Sequence, residues 1–249
     1  MTIVGTSVIG VSHLNSGLPC QDACKYKVTA NGKAIVAVAD GVGSAPKSDI
    51  GARFIVNEVL EHLEQIDLKK QRIEEGDIKE VIMFAREKLK KMAEDTQEDF
   101  QNLATTLIVV VAYETDDKQK EVMIAHIGDG AVLAESDKLE ILSLPEESES
   151  KYKVAPITVK NWYDYMHFYK FKKNFKFIAI ITDGCQPVAL KKENNGISVP
   201  LEEFFRPIFY CLKNNKNPEE CTDEIRKLLS SQKVNEYTWD DKTLVVITF

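Results

Sequence analysis

The chain has 249 residues, 44% of them hydrophobic and 29% charged, which suits a globular protein with a sizeable core and allows one large domain or two small ones. A formal net charge of −7 disfavours non-specific binding to nucleic acid or to an anionic membrane surface, so neither is an expected partner. Met1–Leu14 has no basic segment ahead of its apolar residues, and runs such as Leu107–Tyr113 fall far short of the roughly 20 residues of a membrane helix, so a cytoplasmic location is expected.

In chain order, Thr2–Val11 alternates as a strand, and Ser12–Gln21 reads as a loop leading to Asp22. Lys25–Thr29 and Lys33–Ala39 flank Asn31-Gly32, a strong hairpin signal. The second arm is a run of small and β-branched residues closed by Asp40-Gly41, which reads as a buried strand with a carboxylate at its mouth. Ser48 and Asp49 then offer an N-cap to a helix carrying Ile50, Phe54, Ile55, Val59 and Leu60 as far as about Leu63. A charged connector, Asp67–Asp77, precedes a second amphipathic helix with Ile78, Val81, Ile82, Ala85, Leu89 and Met92 on one face.

Leu103–Tyr113 and Val122–Ile127 read as further strands, the second running into Gly128-Asp129-Gly130, and Ala131–Glu135 and Leu139–Leu142 continue a meander. Residues 145–176 show no persistent period. They begin acidic, become aromatic between Trp162 and Tyr169, and read as an inserted surface subdomain. Phe177–Ile181 runs into Thr182-Asp183-Gly184, Leu201–Leu212 and Pro218–Leu229 read as helices, and Asp240-Asp241 precedes the last apolar run, Thr243–Phe249. Hairpins and meanders with helices arriving in pairs predict an antiparallel α+β layered fold in a single domain over residues 1–249.

Carboxylates delivered to several strand mouths repel one another unless something positive sits among them. A metal ion is the economical answer, and ligand sets made only of oxygen select hard cations such as Mg²⁺ or Mn²⁺ over Zn²⁺. Two such ions sharing a carboxylate can acidify a water and clamp a phosphoryl oxygen, so metal-assisted phosphoester hydrolysis is the expected reaction class. At single positions a plainer reading competes: Asp129-Gly130 serves equally as a hairpin turn, and Asp240 alone is an acidic loop residue. The five cysteines, with no C-x-x-C pair, argue against a disulfide framework or a structural zinc site. Cys20 and Cys185 lie two residues from Asp22 and Asp183, where a thiol can either sense oxidation or serve as a small buried hydrophobe.

The ordered motifs Gln21-Asp22, Val38-Ala39-Asp40-Gly41-Val42-Gly43, Ala104-Thr105-Thr106, Ile127-Gly128-Asp129-Gly130, Thr182-Asp183-Gly184 and Asp240-Asp241-Lys242-Thr243 resemble those of the metal-dependent, type 2C serine/threonine protein phosphatases. Ser12-His13 and Gly17-Leu18-Pro19-Cys20-Gln21-Asp22-Ala23 resemble a bacterial branch of that family. The resemblance implies a four-layer αββα sandwich, two antiparallel sheets flanked by helix pairs, with two Mg²⁺ or Mn²⁺ ions in a cleft at one edge. It further implies that Asp40 bridges the ions, that the Gly41 carbonyl binds the second, and that Asp183 and Asp240 hold the first. Asp22 would orient metal-bound water, Asp129 with Asp183 would bind a third, weaker ion, and residues 145–176 would occupy the place of the family's variable flap.

The implied activity is hydrolysis of phosphoserine and phosphothreonine by a metal-bound hydroxide, with phosphoproteins as substrates and a kinase system as counterpart. The chain departs from the family in three places. Asp241 replaces an Asn, no Arg precedes Asp22, and Val42 stands where eukaryotic members carry a His. His13, the sole imidazole before Asp22, is therefore a candidate phosphate anchor or general acid, with a scaffold role as the plainer reading. A non-catalytic module that binds a phosphoprotein or kinase, and a hydrolase of small phosphoesters, are the competing functions.

Overall fold

The computed structural model describes residues 1–70, 72–144, 155–194, 196–215 and 217–249. The chain begins with β1 (Thr2–Val8) and α1 (Val11–Ser16), then forms the hairpin of β2 (Asp22–Val28) and β3 (Ala34–Asp40). Gly32 supplies the positive φ, 74°, that the turn after Asn31 requires. Two long helices follow, α2 (Ser48–Lys69) and α3 (Glu75–Asp95), and then the meander β4 (Leu107–Glu114), β5 (Lys120–Ile127), β6 (Ala131–Glu135) and β7 (Leu139–Ser143). Beyond it lie β8 (His167–Lys173), β9 (Phe177–Ile181), a short helix α4 (Gln186–Ala189) and the two-stranded ribbon of β10 (Leu190–Lys192) and β11 (Ser198–Pro200). The chain closes with α5 (Glu202–Asn214), α6 (Pro218–Leu229), α7 (Gln232–Asn235) and β12 (Lys242–Thr248).

Two five-stranded antiparallel sheets result, ordered β1-β12-β9-β6-β7 and β2-β3-β4-β5-β8. The residues of β3 explain why its sequence is continuously apolar. Ile35, Ala37 and Ala39 face the α2–α3 layer, while Ala34, Val36 and Val38 face the opposite sheet, so both sides of the strand are buried. In β12, Val245 and Ile247 enter the same inter-sheet core, and Leu244 and Val246 pack beneath α5 and α6. Three apolar layers between four structural layers give the αββα sandwich expected from the motifs. No helix among the described residues is long and apolar enough to cross a membrane.

Several boundaries differ from the sequence reading. Val11, expected to end the first strand, and residues 12–16, expected as loop, form α1, which ends at Gly17 in the left-handed region with φ 68°. Ser48 and Asp49 do not cap α2. The N-cap position is Lys47, which makes no side-chain cap bond, Asp49 pairs with Arg53 one turn on, and Ser48 is buried. Helix α2 also continues through Asp67 into the stretch read as a connector. Asp67 is buried there as the ion-pair partner of Lys33, and its carbonyl accepts from Asn31 Nδ2 at 2.7 Å, so the hairpin turn and the helix end fix each other.

The stretch read as aperiodic falls partly outside the described residues, at 145–154. Beyond them, Ile157 and Trp162 enter the core under α3, and β8 is the edge strand paired with β5. Arg86 lies 5.8 Å from the Trp162 ring and donates to the carbonyls of Ile157 and Val159, at 2.8 and 3.2 Å. Those contacts tie the segment to α3, whereas Tyr163 and Tyr165 stay exposed.

Candidate active site

Strand ends from both sheets bring the acidic residues to one edge of the sandwich. Asp22 opens β2 and stands opposite Asp40, which closes β3. Asp183 follows β9 and Asp240 precedes β12, which pairs with β9, and Asp129 lies in the turn between β5 and β6. One carboxylate oxygen each from Asp40, Asp129 and Asp183 lies within 4.8 Å of the others. Asp240 and Gly41 line the same cleft, as do His13 and Asp241.

The backbone around Asp40 is held from the β4 side. Its N–H donates to Thr106 Oγ1 at 2.9 Å, and its carbonyl accepts from Thr106 N at 2.8 Å and Thr105 Oγ1 at 2.9 Å. Asp183 sits in a turn that packs against the chain before β12. A Cβ at Gly184 would lie 1.9 Å from the Asp241 carbonyl oxygen, so only glycine allows that approach. Asp22 is buried, and its Oδ2 accepts from the hydroxyls of Thr182 and Thr243 at 2.8 and 2.7 Å. These two threonines belong to the quoted motifs, but the sequence reading gives them no role. The signal was present, since Thr182 immediately precedes Asp183 and Thr243 begins the closing apolar run.

Asp241, read as an extra charge, is the structural brace of the site. Its Oδ1 accepts from Gly10 N at 2.6 Å, and its Oδ2 accepts from Gln21 N at 2.5 Å and His13 Nδ1 at 2.9 Å. His13 is thereby held at the cleft by a carboxylate, not by the Ser and Asn residues of its own segment. Among the described residues lining the cleft there is no Lys or Arg, and His13 is the one side chain able to carry positive charge.

Crowding of carboxylates sets the electrostatics. Burial, with the charges of Asp22, Asp183 and Asp129, pushes the Asp40 carboxyl well above the usual carboxylate range. Burial likewise raises Asp22 to about 7 against the opposing Thr243 and Thr182 hydrogen bonds, and raises Asp129 to about 6 with help from Asp183. Asp240 is raised by burial and by Asp183. Asp22 Oδ1 and Asp183 Oδ1 are buried without a hydrogen-bond partner. The carboxylates of Asp40, Asp129 and Asp183 converging in one cleft, with Asp183 Oδ1 unsatisfied, fit a hard cation, and the donor set of carboxylate and carbonyl oxygen matches that preference.

The thiols beside the motifs are not primed to react. Cys185 is fully buried and Cys20 half-buried, and burial pushes both thiols up, away from the thiolate form that oxidation requires.

Sandwich and cleft together define a class, an αββα protein that gathers carboxylates at one edge of its two sheets. Residues 9–230 match the protein phosphatase 2C family, and the chain belongs to that family. Serine/threonine-protein phosphatase 3 of Escherichia coli (strain K12) is 27% identical over 258 residues, a match covering 98% of this chain and 96% of that protein. Among solved structures, the serine/threonine phosphatase Stp1 of Staphylococcus aureus aligns with a TM-score of 0.61 at 14% identity, covering 100% of this chain and 95% of that one. RsbX, solved in complex with magnesium, aligns with a TM-score of 0.55 at 15% identity, covering 98% and 92%. At those identities the two structures are likenesses of fold.

Proposed function

We propose that this protein is a cytoplasmic, Mg²⁺- or Mn²⁺-dependent phosphatase that removes phosphate from phosphoserine and phosphothreonine in proteins, opposite a cognate kinase. The observation that carries the reading is the convergence of Asp40, Asp129 and Asp183 oxygens within 4.8 Å of one another. In this reading Asp40, the Gly41 carbonyl, Asp183 and Asp240 hold two ions, and Asp129 with Asp183 holds a weaker third. Bound there, the ions supply Lewis-acid charge for phosphoryl oxygens and lower the pKa of water.

The chain's own groups do the positioning. With Asp22 Oδ2 occupied by two threonine hydroxyls, its other oxygen is left to accept from the nucleophilic water and aim it at phosphorus. With His13 Nδ1 donating to Asp241, Nε2 is the ring atom left for substrate. As imidazolium, His13 donates from Nε2 to a phosphoryl oxygen or to the leaving oxygen, the role an arginine would otherwise share.

Phosphate release from a phosphothreonine peptide and from a nucleotide, each with Mn²⁺ and with chelator, tests the proposal. The expected result is metal-dependent turnover that favours the peptide. Turnover of the nucleotide alone would contradict it.

A further inference from the structure

A second, wider depression of about 680 Å³ adjoins the acidic cleft and shares His13, Gly43 and Asp240 with it. Its wall is the segment between α7 and β12. Along that segment Thr238 turns inward, while Tyr237 and Trp239 turn out and are 64% and 71% exposed. Tryptophan carries one of the largest apolar surfaces of any side chain, so leaving it in water directly beside a candidate metal ligand forgoes substantial burial.

The backbone beneath these rings is fixed. The Trp239 carbonyl accepts from Ser12 N at 3.0 Å and Ser12 Oγ at 2.8 Å, and the Asp240 carbonyl accepts from Lys242 Nζ at 3.0 Å. Gly10 packs so closely that a Cβ there would lie 2.3 Å from the Asp240 carbonyl carbon. Two aromatic faces are thus presented on a rigid support, which limits the entropy lost when a ligand docks.

The charge of the depression says what it suits. Glu236 and Asp240 line it with no Lys or Arg among the described lining residues, the one imidazole there, His13, is paired with Asp241, and no described cation pairs with the exposed Glu236. An aromatic face beside an unpaired carboxylate is a receptor for a guanidinium or ammonium group. A phosphorylated chain with its phosphate in the acidic cleft can run on past His13, Gly43 and Asp240, which the two depressions share.

We propose that Trp239, Tyr237 and Glu236 form a subsite for a basic residue of the substrate, an arginine or lysine within a few positions of the phosphorylated side chain. The proposal rests on the phosphatase reading and adds to it a substrate class. Arginine is the better fit, because its planar group can stack on Trp239 while donating to Glu236.

The test compares kcat/KM for phosphothreonine peptides, identical except for Arg, Leu or Glu two residues before or after the phosphorylated position, at saturating Mn²⁺. Wild-type protein is expected to favour the best Arg peptide over its Leu counterpart by about fivefold, and to disfavour Glu further, with the margin shrinking in high salt. In Trp239→Ala and Glu236→Gln, both exposed sites whose folding is checked by melting temperature, the Arg preference should fall below about twofold. Equal turnover of all peptides by the wild type, a preference for Leu, or an Arg preference that survives both substitutions would overturn the subsite while leaving the phosphatase reading standing. Failure to hydrolyse any peptide, or an aryl phosphate, would remove the reading on which the subsite rests.

Discussion

Asp241 shows how one carboxylate changes meaning between sequence and structure. As a letter beside Asp240 it is one more negative charge in place of an Asn. In the fold it gathers the N–H of Gly10, the N–H of Gln21 and the imidazole of His13, joining the start of the chain to its last strand. A carboxylate accepts at both oxygens, whereas an Asn at 241 turns an NH₂ toward one of those donors. Asp241→Asn is therefore expected to lower unfolding free energy by about 1–3 kcal/mol, and Asp241→Ala by more, since each buried donor left without an acceptor carries such a cost. His13→Ala keeps both backbone donors satisfied and should cost less than either. Chemical denaturation of the three variants measures this order, and a His13→Ala protein less stable than Asp241→Ala would contradict it.

At the scale of elements, the buried strands and their carboxylate mouths were legible because their period and their Asp-Gly endings are local signals. Helix ends and the edge strand were not, because distant partners decide them. Helix α2 outlasts its apolar stripe since Lys33, on the β-hairpin, accommodates Asp67. Strand β8 hid among aromatics because it is an edge strand whose exposed and half-buried residues do not alternate cleanly. Equally non-local is the bond of His126 Nδ1 on β5 to Ser143 Oγ at 2.6 Å, which ties one sheet to the end of β7 in the other.

Burial, with the facing His167 on β8, pushes His126 from 6.5 down to about 3, so the ring is neutral in the fold. A depressed folded-state pKa means that the unfolded chain takes up this proton first. The contribution of His126 is therefore intact above about pH 6.5 and is lost, at about 1.4 kcal/mol per pH unit, as pH falls from 6.5 toward 3. Replacing His126 with Phe should flatten that part of the acid limb. Parallel denaturation of wild type and variant from pH 7 to pH 5 checks it, and identical slopes would contradict the assignment.

For the molecule as a whole, the sandwich exists to bring six chain segments, far apart in sequence, to one edge. The sequence carried the recurring acidic motifs and their order, and hence the layered fold and the acidic edge. It did not carry the bonds of Thr182 and Thr243 to Asp22, the brace at Asp241 or the aromatic wall at Tyr237 and Trp239, since each depends on which loops meet across the sheet ends. Grouping like charges there costs stability in the metal-free protein, as the raised carboxyls of Asp22, Asp40, Asp129 and Asp240 indicate.

The central claim is that these carboxylates form a cation site, and calorimetric titration of Mn²⁺ into wild type and Asp40→Asn tests it most directly. The wild type should bind at least two ions and melt higher in their presence. Asp40→Asn should lose the tight binding while melting, in chelator, at or above the wild-type temperature, because removing one charge relieves the repulsion among the rest. Mn²⁺ affinity and stoichiometry unchanged in Asp40→Asn would contradict the account.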